Sequence, residues 1–372
     1  MNKTLDRFDL LGQIMGKTLQ VFVDGVMRTS YTKIQWTQFF TWDVMKYSTT
    51  FSAMQADLDL IPMASVISPS SPKPKRSVQG VSLWSGQIPK IGHSFDLTEE
   101  DLREYLTIIE AGGTIAMQPI LDLFYNTVEK TVFGIHARLN SMAMQIMSKG
   151  SLLINAANNP DGIALAKIDM KVPTLNKKWA GWNNGTAAAW TGATATPLTD
   201  LQDILDYADG AGIPYNASAF FFPKALWRTF MRHANVIADV ALRLKLVATS
   251  TVTENEVKAY MLDMGFPPVI IVDELTGLQT DGVTSNVTSW HASNVTLAPI
   301  GPVGTIKNAK PISVNDPGKR EAFAADGRIK IVEKADNSRV TQGFEAECLA
   351  LPVLSAPSRI IIIDTSVTST WT

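Results

Sequence analysis

The sequence predicts an α+β chain, and three features carry that prediction. A sustained three- and four-residue apolar repeat lies between Gln118 and Gly150, helix-like and strand-like pieces alternate through residues 199–306, and the chain after Lys307 reads as almost unbroken β. The repeat is the clearest of these. Ile120, Phe124, Val128, Val132, Ile135, Leu139, Met142 and Ile146 share one helical face, Pro119 suits a first turn and Gly150 a C-terminal cap. A helix over 119–149 would be roughly 45 Å long.

The other elements follow in order. Residues 1–48 scatter Phe22, Tyr31, Trp36, Phe39, Phe40 and Trp42 without a period, which reads as an arm with short strands that gains order by lying on another surface. Residues 49–98 are interrupted by Pro62, Pro69, Pro72, Pro74 and Pro89. Proline at that density fits neither a helix nor a sheet centre, so this segment reads as a two-stranded extended loop with an irregular tip. Thr98 with Asp101 has a capping-box pattern, and Gly112 and Gly113 stop the helix it opens. After SLLIN comes a polar stretch of strand, loop and strand. Thr199 with Gln202 caps a helix that ends near Gly210, and Pro223 begins one carrying Leu226, Trp227, Phe230, Ile237 and Leu242. Thr253 with Glu256 caps a third, closed at Gly265. PPVIIVDE reads as a buried strand, and GRIKIVEK, RVTQGFEAECLALPVL and RIIIID as later ones.

Composition narrows the function. The 372 residues hold 33 Lys and Arg against 35 Asp and Glu, a net charge of −2, which lacks the basic excess of a dedicated DNA-binding protein. Cys348 is the single cysteine, so no intramolecular disulfide or thiolate zinc cluster can form, and a reducing compartment fits. Its apolar β-like flanks make it a buried small hydrophobe rather than a nucleophile. No apolar run reaches the roughly 18 residues needed to cross a bilayer, and MNKTLDRFDLLGQ lacks the pattern of a signal peptide. No membrane association is expected.

The chemical motifs are weak. Gly12-Gln-Ile-Met-Gly16-Lys17-Thr18 ends like a phosphate-binding loop but is one residue short between its glycines and follows no apolar strand. His93, His136, His233 and His291 are too dispersed for a local metal motif, and the sequon Asn184-Gly185-Thr186 lacks a secretion signal beside it. No catalytic, cofactor or metal residue is assigned, and the chain is not expected to be an enzyme.

Charge is distributed unevenly. From Leu60 to Phe95 the formal charges are Lys73, Lys75, Arg76 and Lys90, whereas Asp96 to Glu110 holds six acids and Arg103. These could be two solvated faces, since exposed pairs contribute only about 0–1 kcal/mol each. The alternative is contact between copies, in which the basic tip meets Glu99, Glu100 and Asp101 of a neighbour while Leu83 and Trp84 add apolar contact near the tip.

The helix-to-strand junction FGIHARLNSMAMQIMSKGSLLI and the closing RVTQGFEAECLALPVLSAPSRIIIID resemble the tailed-phage major capsid proteins of the Hong Kong 97-like fold, in particular the lambda-type capsid protein E family. TPLTDLQDILDY and the aromatic strand and helix that follow fit the axial lobe of that family. The resemblance implies an N-terminal arm (1–48), an extended loop (49–98), a peripheral domain with a spine helix (99–198), an axial domain (199–306) and peripheral return strands (307–372). It implies a self-assembling chain whose hexamers and pentamers form an icosahedral procapsid, with scaffold, portal and in some cases decoration proteins as partners. The shell is assembled in the host cytoplasm, encloses double-stranded DNA without reading its sequence, and becomes the virion. Other structural virion proteins, such as a tail-tube or decoration protein, remain the alternative reading, followed by a nucleotide-binding enzyme.

Overall fold

In a computed structural model the described residues are 20, 23–24, 35–56, 81–97, 99–100, 103, 107, 117–183, 188–244, 251–274, 276–280, 282–313, 320–336 and 341–366. A 3-10 turn at Trp36–Gln38 leads into β1 (Phe40–Trp42). β2 (Thr50–Ala56) and β3 (Val81–Gln87) pair antiparallel, and β4 (Lys90–Leu97) follows. The long helix α1 (Met117–Lys149) then runs into the hairpin of β5 (Ser151–Ile154) and β6 (Leu165–Asp169). Next come β7 (Lys177–Trp179), α2 (Pro197–Gly210), β8 (Ser218–Pro223), α3 (Lys224–Arg232), α4 (Ala234–Leu244), α5 (Glu254–Asp263) and β9 (Val269–Val272). The polar hairpin β10 (Thr276–Thr280) and β11 (Val283–Val287) precedes β12 (Asn294–Pro299) and β13 (Gly304–Ala309). The chain closes with β14 (Arg320–Ala324), β15 (Ile329–Asp336), β16 (Thr341–Leu354) and β17 (Ile361–Asp364).

α1 forms where its apolar repeat requires. Val128, Val132, Ile135, Leu139, Met142 and Ile146 are all buried, and Gly150 ends the helix at φ 66°, a left-handed conformation that suits glycine. Its buried side packs on a six-stranded sheet ordered β1-β13-β16-β15-β14, with β4 also paired to β16. β16 organises that sheet: it pairs with β15 over its first half and β13 over its second, while β4 lies on its other side.

A second, five-stranded sheet runs β7-β17-β12-β8-β9 and is buried on both faces. Alternation along β8 sends Phe220 and Phe222 to a core under α2 to α5, and Ala219 and Phe221 to the core under α1. Ile361 and Ile363 against Ile362 on β17 divide in the same way. Strands covered on both sides read as continuous apolar runs, which is why SAFFF and RIIIID lack an alternating polar pattern.

Several local expectations need correction. α2 starts at Pro197, with Thr196 as its cap, so Thr199 and Gln202 lie inside the helix; proline presets the first-turn φ without a side-chain cap. The helix expected from Pro223 is two helices, α3 and α4, broken at His233, whose backbone is extended. The His233 ring holds the break by donating to the Gly192 carbonyl at 3.0 Å and accepting from the Asn235 N–H at 3.3 Å. Leu242 is 82% exposed, on the solvent side of α4. β9 is an edge strand, half-buried over most of its length. The Thr253–Glu256 capping box is formed as read.

The sheets also cross the expected linear segments. β7 and β17 join the sheet of β8, β9 and β12 from outside residues 199–306, and β13 leaves that interval for the α1 sheet. Trp36, Phe39 and Phe40 of the arm are buried in their own chain's core, and β1 pairs parallel with β13. The Thr98–Asp101 cap, Gly112–Gly113, the Gly12–Thr18 motif and the Asn184 sequon lie outside the described residues. Among the described residues, no helix is long and apolar enough to cross a membrane.

Candidate assembly surfaces

β2 and β3 pair with each other and with no third strand among the described residues. Trp84 lies opposite Ala53 at the middle of the two paired strands. Its ring meets Phe51 edge-on at 5.1 Å, and Leu83 lies opposite Met54 in the register. Lys90 begins β4 and forms an ion pair with Glu347 of β16, so this cation is engaged within its own chain. Glu99 and Glu100 are exposed at helical positions, and Glu99 accepts two hydrogen bonds from Arg103 one turn on. Lys73, Lys75, Arg76 and Asp101 lie outside the described residues.

Polar groups fix α1 against both sheets. Thr296 and Asn294 of β12 donate to the Met147 and Ser148 carbonyls, and Ser289 donates to the Ser141 hydroxyl at 2.6 Å. Glu274 is buried just before β10 and accepts the backbone N–H groups of Ser289 and Trp290, which orders the loop leading into β12. Burial raises its carboxyl pKa, and these bonds oppose the rise. Asp200 in the first turn of α2 plays the same part, accepting from the Trp190 indole at 2.7 Å and the Gly181 N–H at 3.0 Å; its pKa is also raised by burial. Arg138 on α1 reaches the Asn158 carbonyl and the Asn159 side chain, anchoring the loop after β5.

Two other placements bear on chemistry. Cys348 is fully buried in β16, and burial pushes its thiol up to about 12, far from the thiolate a nucleophile needs. Among the described residues no group of three or more His, Cys, Asp or Glu is arranged to hold a metal ion.

The sequence reading missed Gln20. Its side-chain amide donates to the Phe323 carbonyl and accepts the Phe323 N–H, both at 2.8 Å, and so occupies the free edge of β14 as another strand would. Val23, one turn on, is fully buried. No periodic signal marks a residue that acts through its side-chain amide, so nothing in the sequence alone could single it out.

Comparison with solved structures gives the same architecture. A phage-related protein of Bordetella bronchiseptica RB50 aligns over 93% of this chain and 96% of its own, at 11% identity and a TM-score of 0.53. A candidate capsid protein of a prophage in Escherichia coli CFT073 aligns over 92% and 96%, at 13% identity and a TM-score of 0.50. The fold is that of the Hong Kong 97-like capsid proteins. No curated protein sequence matches the chain. Residues 28–365 match the family described as phage major capsid protein E. That interval takes in every described strand from β1 to β17 and the helix they enclose, and the chain belongs to the phage major capsid protein E family.

Proposed function

We propose that this major capsid protein closes an icosahedral shell from hexamers and pentamers, in which the β2–β3 ribbon and its basic tip lap onto the adjacent subunit. The ribbon is the observation that carries the reading. Two isolated strands are marginal in water, and β2 and β3 find no third strand in their own chain among the described residues. A neighbour supplies the missing cover. Repeated around a ring, such a contact is heterologous and closes when the rotation between subunits divides a full turn.

In this reading residues 1–48 are the arm, residues 49–98 the extended loop, and α1 the spine of the peripheral domain, while α2 to α5 cover the axial lobe. The interior encloses double-stranded DNA without sequence recognition, which the near-neutral charge permits, since few phosphates would be held by fixed cations. Assembly takes place in the host cytoplasm with a scaffold and a portal, and the protein's work is structural rather than enzymatic.

The test is charge reversal at the tip. Changing Lys73, Lys75 and Arg76 to Glu should lower shell yield by about tenfold or more while the chain stays folded by circular dichroism. Normal yield from that variant would remove the ribbon from the assembly mechanism.

A further inference from the structure

At the root of the ribbon, β3, β6 and β16 enclose an open groove of about 710 Å³. Phe51, Trp84, Ile88, Leu165 and Leu351 give it an apolar floor, and Ile163 at its border is 69% exposed. Lys90, Lys167 and Lys171 lie along its rim. Lys90 is neutralised by Glu347. Lys167 and Lys171 are exposed and take part in no ion pair seen among the described residues. The nearby acid is Asp169, which accepts the Lys171 N–H at 3.0 Å. The rim is therefore electropositive around an apolar floor.

We infer that this groove seats the acidic segment 96–110 of a second copy of the chain. That segment carries Asp96, Glu99, Glu100, Asp101, Glu104 and Glu110 against Arg103 alone, with Leu102, Tyr105, Leu106, Ile108 and Ile109 between them. It thus matches the rim in charge and the floor in character. In its own chain the segment begins at the far end of β4 from the groove. β4 leaves the groove at Lys90 and reaches Leu97 about 23 Å away at roughly 3.3 Å per residue. α2 also carries exposed carboxylates, among them Asp206 and Asp209, which accept from Gln202 and Tyr215, and its reversal at Asp206 serves as the control below. The inference rests on the self-assembly reading above and reassigns the acidic segment from the basic tip of the ribbon to its root.

The full-length chain is expressed, and shells are separated by sedimentation and counted by electron microscopy. Lys167→Glu with Lys171→Glu is expected to lower shell yield at least about tenfold while the soluble protein stays folded. Glu99→Lys with Glu100→Lys is expected to do the same, and the four changes together to restore about half of the wild-type yield. Asp206→Lys added to the lysine reversals should restore nothing. If the reversed chain is insoluble, Lys167→Gln with Lys171→Gln is scored instead, with a loss of about threefold expected. Full yield from either lysine variant, or failure of the fourfold combination to recover, overturns the inference while leaving the capsid reading intact. Normal shells that retain less DNA overturn it too, by making the groove a nucleic-acid surface. A wild-type chain that forms no shells overturns both readings.

Discussion

His136 shows how one residue can set the acid limit of the fold. It lies on α1, is 4% exposed, and has no hydrogen-bond partner on either ring nitrogen among the described residues. Its ring stacks on Trp36 at 6.0 Å with the planes 7° apart, so the arm and the helix meet across it. Burial holds its pKa down to about 4, against about 6.5 in an unfolded chain. Between these values the unfolded state binds the proton and the folded state does not. This contribution is intact above about pH 6.5 and is lost as the pH drops, the loss amounting to about 3 kcal/mol once the pH is well below 4. His136→Phe should keep the stacking and flatten that dependence, as read by urea midpoints between pH 7 and pH 4. An equally steep loss in the variant would place the acid sensitivity elsewhere. The burial of Cys348 could be read from its flanks, whereas that of His136 depends on Trp36, a hundred residues earlier, and no local pattern reports it.

At the scale of elements, α1 carries a socket in its middle. A Cβ at Gly134 would stand 2.0 Å from the His93 ring, which reaches in from β4 and donates to the Thr131 carbonyl at 2.7 Å. Alanine normally favours a helix over glycine by about 1 kcal/mol. Here Gly134→Ala should destabilise the protein by about 1–3 kcal/mol, because the ring must move and give up its bond. The added change His93→Ala should recover most of that loss in thermal unfolding; no recovery would show that the socket is not the cause. This also marks the limit of what the chain discloses about its elements. The apolar repeat of α1, the Thr253–Glu256 cap and the late strands were legible because each is a local pattern. The break at His233 and the start of α2 at Pro197 were not, since one depends on the distant Gly192 carbonyl and the other replaces a side-chain cap with a preset φ. The membership of β7 and β17 in one sheet was equally hidden, because their pairing joins strands nearly two hundred residues apart.

For the whole molecule, the architecture was legible as an order of segments, and the groove was not. Its wall is assembled from residues near 51, 84–90, 163–171 and 349–351, which meet only after β16 has paired with β4 and the β5–β6 hairpin has formed. What the two cores leave uncovered is consistent with a chain made to be tiled. Val44, Tyr47 and Ile312 are 74%, 76% and 75% exposed, and the β2–β3 ribbon stands outside both large sheets. In the assembly proposed above, burial that one copy leaves open is completed by contact with others. Electron microscopy of the purified full-length chain across protein concentration and ionic strength tests this most directly. Capsomer rings or closed shells are the predicted result, and particles that remain single chains under every condition would contradict it.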